Sequence, residues 1–256
     1  MEENKNNSSN AIFESKELKY KGKFLSYFIK NYKVISQNKS EPILIPYETV
    51  DYNSRCFSQD EMPNEFIGKN KYNIYAVNII PIIYHSLQPK KLLILANFRY
   101  PINKYCLEFP GGFIDKLDSE NSNDFEEVIK KAALRELEEE TGYVGEFLYY
   151  SSKILDNTDK NVQLKIESNI FFDPWKSSDN SLECFVKING DDINNNKKKQ
   201  KLDEDELIKV YEVELDKLID FLKEKINKNG FGCSSQLYNF ALGLNFNKML
   251  NKFNDK

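Results

Sequence analysis

One histidine, one tryptophan and four cysteines in 256 residues leave several familiar chemistries without their usual side chains. His85 is the sole imidazole, so Ser–His–Asp or Cys–His catalysis would have to pass through it. It follows an apolar run and has no nucleophile motif beside it, which predicts a structural or surface role. Cys56, Cys106, Cys184 and Cys233 are scattered singly, with no CxxC pair and no metal-ligand spacing. That is the pattern of reduced, mostly buried thiols, and it predicts a cytoplasmic protein, with access to the nucleus left open. No apolar run comes near the ~20 residues that span a bilayer; the longest lie around residues 77–84 and 92–96. Basic residues are not in excess either. Thirty-six Lys and Arg against 40 Asp and Glu give a net charge of −4, which argues against a nucleic-acid or anionic-membrane surface. An acidic protein that handles phosphates needs a positive group at its site, so a bound cation is an early expectation.

What is present fits a globular protein of one sizeable core and a smaller partner. Residues 1–10 are polar and Asn-rich, a disordered tail drawn to residue 12. Residues 18–32 and 42–50 read as strands, separated by a polar loop at 36–41. They form a small N-terminal β domain, 13–70, with a soft boundary in the aperiodic stretch 55–71. The main domain, 71–256, opens with strands at 72–84, 90–98 and 105–109, the last running into Pro110-Gly111-Gly112. A helix follows from about 125 to 140, closed by Thr141-Gly142. Further strands are expected at 145–151, 170–172, 182–188 and 207–213, with an exposed loop at 189–206. Leu215, Leu218, Ile219, Leu222 and Ile226 keep helical spacing, as do Leu237, Phe240, Ala241, Leu244 and Met249. The fold class is α+β, an α/β/α sandwich with a mixed sheet between helices.

The chemistry gathers at the end of the helix that runs into Gly142. Glu136, Glu139 and Glu140 fall within an arc of about 100°, while Ala133, Leu134 and Leu137 lie on another that would face the core. Like charges at i,i+4 destabilise a helix by roughly 0.2–0.5 kcal/mol. Acids in the last turn also oppose the macrodipole, at roughly 0.3–1 kcal/mol each. Arg135 can pair with Glu139 but cannot neutralise all three. Local rules broken together point to a functional site. Clustered carboxylate oxygens suit Mg²⁺, with Mn²⁺ as the alternative.

The run Arg135-Glu136-Leu137-Glu138-Glu139-Glu140-Thr141-Gly142, with Glu127 eight positions before Arg135, matches the Nudix box. Tyr143 stands where a smaller apolar residue is usual, and Asn121 stands where the box begins with glycine. Residues 116–124 read as containing an insertion that leaves the helix untouched. Phe98-Arg99, the run from Tyr105 to Asp115, Asp173-Pro174, the run from Ile188 to Asp192 and the run from Leu237 to Leu242 extend the likeness. Over roughly residues 20–245 the chain resembles the ADP-ribose and ADP-sugar pyrophosphatases of the Nudix family, the human-type cytosolic ones in particular.

The resemblance implies a Nudix fold and Mg²⁺-dependent cleavage of ADP-ribose or a related ADP-sugar. Glu136 and Glu140 match the principal metal ligands, Glu139 a further ligand or base, and Gly111 a backbone ligand. Glu206 matches a loop glutamate that approaches the attacking water. Arg99 matches a diphosphate contact; Phe113 and Asp173 match substrate-lining positions. Phe24 and Tyr47 stand where aromatics sandwich the adenine, with Glu48 beside them, one aromatic coming from the second subunit of a homodimer. Tyr52 and Gln236 replace arginines near the substrate, which weakens an unchanged substrate preference. Two other readings remain. One is a Nudix hydrolase for another nucleoside diphosphate derivative, such as an oxidised nucleotide or a dinucleoside polyphosphate; the other is a non-catalytic ADP-ribose-binding module, which would be expected to carry a degraded box.

Overall fold

The structure, a computed structural model, describes residues 10–22, 25–35, 41–52, 76–119, 124–150, 153–155, 163–165, 173, 175–177, 181–196 and 199–254. The chain divides into two compact units, Met1–Pro63 with Asn169–Asn180, and Asn64–Ser168 with Ser181–Lys256. Expectations for Phe24, Cys56, Asn121, 55–71 and 170–172 fall outside the described residues.

The first unit holds three antiparallel strands in chain order: β1 (Asn10–Lys21), β2 (Leu25–Ile35) and β3 (Ile43–Tyr52). Two corrections to the sequence reading arise here. Asn10, Ala11 and Ile12, expected in the tail, belong to β1 because Ile35, Val34 and Lys33 supply their backbone partners. The stretch 18–32 is not one strand; it breaks at Gly22, whose N–H donates to the Leu25 carbonyl at 2.8 Å. Residues 173 and 175–177 return to this unit from far along the chain. The Lys176 carbonyl accepts from Val50 N–H (3.2 Å) and from Thr49 Oγ1 (3.0 Å). Among the described residues, this unit buries only Ser26, Thr49 and Ser177.

The second unit contains β4 (Ala76–Tyr84), β5 (Lys91–Arg99), β6 (Lys104–Glu108), β7 (Gly111–Phe113), the helical turn α1 (Lys116–Ser119) and α2 (Phe125–Thr141). After these come β8 (Glu146–Tyr150), β9 (Lys153–Leu155), β10 (Gln163–Lys165), β11 (Leu182–Asn189) and the turn α3 (Ile193–Asn196). β12 (Ile208–Glu214), α4 (Leu218–Asn229), β13 (Gly232–Cys233) and α5 (Ser235–Asn254) complete it. β11 runs parallel to β4 and carries β8 on its other edge. β12 pairs along the length of β5.

The remaining edge of β5 is divided. Lys91 and Leu92 pair with β4, whereas residues 95–99 pair with β6. β7 then returns to the start of β4, and the Pro110 carbonyl accepts from Ile79 N–H at 2.8 Å. Residues 108–111 therefore cross from β5 to β4. That crossing positions the site.

β4 and β5 read as nearly continuous apolar runs because helices cover both faces. Ile79, Ile83 and the four residues Leu92, Leu93, Ile94 and Leu95 are sealed from solvent. α2 turns Val128, Ile129, Ala132, Ala133 and Leu137 inward and packs against β4, β7, β8 and β11. Leu218 and Leu222 of α4, with Leu237 and Ala241 of α5, close a cluster over Leu92, Ile94, Ala96, Leu107, Phe109 and Val213. The mixed sheet between helices is the expected α+β sandwich. Met249 departs from its place on the predicted apolar stripe: it is exposed on α5. No helix among the described residues is long and apolar enough to cross a membrane.

The stretch 189–206 is more than an exposed loop. Asn195 in α3 is buried and bonds both the N–H (2.9 Å) and the carbonyl (3.1 Å) of Val144. His85 donates to or accepts from Asp191 at 3.2 Å, and the Asp191 carboxylate also takes Ser86 N–H at 2.8 Å, which ties the two loops at the ends of β4 and β11.

Candidate active site

Helix α2 begins with Asp124, whose side chain accepts from Glu126 N–H at 3.1 Å, a normal N-cap. It ends at Gly142, whose left-handed φ of 74° suits glycine and whose N–H donates to the Glu138 carbonyl. The next two orphan carbonyls of the last turn meet the returning loop. Lys201 N–H donates to Glu139 O at 2.8 Å and the Gln200 amide to Glu140 O at 2.6 Å. Lys201 Nζ also pairs with Glu138. The loop thus supplies the donors and the cation that the acid-rich helix end lacks on its own.

Three expected acids lie on this last turn and a half, but they are not equivalent. Glu140 is 5% exposed, and its carboxylate accepts from Gly111 N–H at 2.8 Å across the α2–β7 contact. Burial raises its proton affinity well above the usual carboxylate range; Gly111 opposes this, while Glu136, Glu206 and Glu108 add to it. Burial likewise pushes Glu136 up to about 7, against Arg135 and with help from Glu139 and Glu206. Glu139 is the more open member and bonds Arg135 at 2.9 Å.

Gly112 explains how Glu136 fits. A Cβ there would lie 2.4 Å from Glu136 Oε1, so any side chain at this position would push the Glu136 carboxylate out of its present place. Gly111, expected as a backbone carbonyl ligand, is seen to bind the cluster through its N–H. Glu206 is electrostatically coupled to Glu136 and Glu140, and its carboxylate accepts from Asp203 N–H at 3.0 Å within its own turn.

Arg99 is gripped by Glu108 through Nη2 (2.8 Å) and Nε (3.2 Å), with about half its side chain exposed. Burial raises the Glu108 carboxyl while Arg99 and the Asn97 amide lower it. The two-pronged geometry is that of an ion pair. Phe113 stands at the border of exposure, and its carbonyl accepts from Arg135 at 2.9 Å.

The remaining expected residues belong to the first unit. Tyr47 is exposed and its hydroxyl donates to the Trp175 carbonyl; Glu48 bonds the Tyr27 hydroxyl; Asp173 pairs with Lys176 at 2.9 Å.

Several residues escaped sequence reasoning. Glu108 had a signal, since it is the one charge inside the apolar run from Tyr105 to Phe109. Asp118, Asn97, Gln200 and the exposed Trp175 had none, because their partners lie far away along the chain. Tyr143, the departure from the box, is buried, and its hydroxyl reaches Glu212 on β12, which also holds Lys91 at 3.1 Å. A smaller apolar residue would not make that link.

The donor set is five carboxylates, Glu108, Glu136, Glu139, Glu140 and Glu206, set against two guanidinium groups. Among the described residues, no three His, Cys, Asp or Glu side chains stand close enough together to hold a metal ion between them. These hard oxygen donors would suit a divalent cation that takes one or two carboxylates and fills its other positions with water or substrate oxygens.

Residues 76–231 match the family described as the NUDIX domain, more than half of the chain, and the protein belongs to that family, the Nudix hydrolases. The chain is similar to the ADP-sugar pyrophosphatase of Mus musculus, 31% identical over 169 residues that cover 66% of each protein. It is also similar to the ADP-ribose pyrophosphatase of Saccharomyces cerevisiae, 29% identical over 66% of this chain and 62% of that protein. The matches thus span about two thirds of these relatives' length or slightly less. A solved structure titled as an ADP compounds hydrolase shares the fold, with a TM-score of 0.52 at 18% identity, covering 95% of this chain and 96% of its own.

Proposed function

We propose that the protein hydrolyses the diphosphate bond of ADP-ribose, or of a related ADP-sugar, in a Mg²⁺-dependent reaction that yields AMP and ribose 5-phosphate. The observation that carries this reading is the pair Glu136 and Glu140, a half-buried and a buried carboxylate held against the Gly111-Gly112 strand, with proton affinities raised by desolvation. A dication bound by Glu136 and Glu140, with Glu139 beside them, would polarise the diphosphate and lower the pKa of a water; Mn²⁺ can serve in the same place. Glu206 takes the proton of the attacking water, with Glu139 as the alternative base. Arg99 offers its planar fork to the diphosphate, and Glu108 holds that fork in place. Water attacks one phosphorus, the bridging P–O bond breaks, and its electron pair leaves on the departing phosphate.

Tyr47, Glu48 and Asp173, with Phe24, supply adenine and substrate recognition in this reading, and a homodimer completes that half of the site. The exposed apolar side chains of β1 and β3 favour such an interface. Three described cysteines are free thiols, which suits a cytoplasmic protein. The replacement of two arginines by Tyr52 and Gln236 supports a second reading, a different nucleoside diphosphate derivative as substrate.

The deciding assay measures AMP release from ADP-ribose with and without Mg²⁺, beside ADP-glucose and oxidised GTP. Metal-dependent release, fastest from an ADP-sugar, is expected. Faster turnover of oxidised GTP overturns the substrate assignment. Tight ADP-ribose binding without hydrolysis in any metal overturns the enzyme.

A further inference from the structure

We infer that Asp118, in the inserted segment before α2, is a positioning residue that sets the glutamate cluster through Arg135; the inference rests on the hydrolase reading above.

The guanidinium of Arg135 has five N–H donors, and each has an acceptor. Nε donates to Asp118 Oδ1 at 3.0 Å, and Nη2 to Asp118 Oδ2 at 2.8 Å and to the Phe113 carbonyl at 2.9 Å. That leaves Nη1, which donates to Glu136 Oε1 and Glu139 Oε2, both at 2.9 Å. Asp118 therefore grips the guanidinium side-on and presents a single amine to the two glutamates. Sharing one nitrogen, neither glutamate can form a two-pronged pair with Arg135, and each keeps its second oxygen outside the pairing.

Asp118 is itself well anchored. It is 3% exposed, and Oδ2 also accepts from Asp115 N–H at 2.7 Å. Its own N–H donates to the Asp115 carbonyl at 3.1 Å, closing the turn that becomes α1. A buried carboxylate meeting three donors is fixed in place. Without its charge, the planar fork of Arg135 is free to rotate and close on Glu136 or Glu139 with both prongs. One acid would then lose both oxygens to the arginine, and the other would face its like-charged neighbours with no partner. The segment that looks like a bystander insertion in the sequence thus orients the cluster from outside it.

The test compares wild type with Asp118→Asn, Asp118→Glu, Arg135→Lys and the Asp118→Asn/Arg135→Lys double variant, all as full-length protein. Mn²⁺ dissociation constants are read by electron paramagnetic resonance, kcat and KM on ADP-ribose are measured at saturating metal, and melting temperatures serve as the folding control. Asp118→Asn should weaken Mn²⁺ binding and lower kcat by about tenfold or more, with KM changed less than about threefold. Asp118→Glu should recover part of both losses. The double variant should be little worse than Arg135→Lys alone, because both substitutions cut the same link. Unchanged Mn²⁺ affinity and kcat in folded Asp118→Asn overturn the inference, as does a lowered melting temperature with neither constant moved. A wild type that binds Mn²⁺ without hydrolysing any diphosphate fails the hydrolase reading alone, and the metal-affinity arm still decides on Asp118. A wild type that binds no Mn²⁺ overturns both.

Discussion

In the sheet of β1–β3, Ile12, Phe13, Leu18, Tyr20, Leu44 and Tyr47 stand in solvent, whereas in β4 and β5 Ile79, Ile83, Leu92, Leu93, Ile94 and Leu95 are sealed. The local sequences are not very different; both are rich in β-branched and aromatic residues. What differs is cover. Two helical layers clad the larger sheet, and among the described residues the three-stranded sheet buries no large apolar side chain. The exposed apolar side chains of that sheet are the surface the proposed homodimer would use. A body with a sealed core can instead hold carboxylates at its edge with little water around them, and burial is the leading cause of the raised proton affinities of Glu136 and Glu140.

The contrast can be broken at several points. The largest effect is expected at the acids. Glu140→Gln or Glu136→Gln should cut Mg²⁺-dependent AMP release by about 100-fold or more while leaving the circular dichroism spectrum intact. Full activity in either purified variant would remove the acids from the reaction.

Next comes the core itself. Leu137→Ala, which empties space beneath the box, should cost about 2–5 kcal/mol in urea unfolding. A loss below about 1 kcal/mol would mean that α2 is not locked to the sheet as described.

A smaller effect is expected from pH in metal-free protein. A folded carboxyl near 7, against about 4.5 unfolded, binds more protons in the folded state across that interval. Its contribution is therefore most favourable below about pH 4.5 and is lost as pH rises towards 7, by about 1–3 kcal/mol. Glu140 shifts in the same direction. Glu136→Gln should flatten the wild-type slope of melting temperature between pH 5 and 7.5, and added Mg²⁺ should raise the melting temperature most at the alkaline end. An identical slope in variant and wild type would deny Glu136 its raised proton affinity.

The smallest change in folding is expected on the exposed sheet. Leu44→Asn should alter unfolding free energy by less than about 0.5 kcal/mol at protein concentrations that hold the chain monomeric. The same substitution should weaken self-association in sedimentation velocity. Equal sedimentation of both proteins across a wide concentration range would leave that apolar face without the proposed partner.

Helix α2 was legible almost to the residue, because its apolar stripe and the Thr141-Gly142 end act within a turn or two of the chain, while the Asp124 cap emerged only in the structure. The acid stripe was legible for the same reason. Glu108 was half-legible, as a charge in an apolar run, but nothing in that run named Arg99 as its partner. The loop 189–206 was misread because its polar composition says nothing of the orphan carbonyls at the end of α2, to which Gln200 and Lys201 donate.

From the sequence alone follow the sandwich of helices and mixed sheet, the box on its helix and the crowding of Glu136, Glu139 and Glu140, since each depends on residues near one another in the chain. Tertiary structure decided the rest: that Glu140 is sealed against Gly111, that Lys176 and Ser177 return to β3, and that Asp118 takes hold of Arg135. Those are contacts between segments far apart in the fold's own order. Their energies come from burial and from donors meeting acceptors across space, quantities that no local pattern of residues encodes.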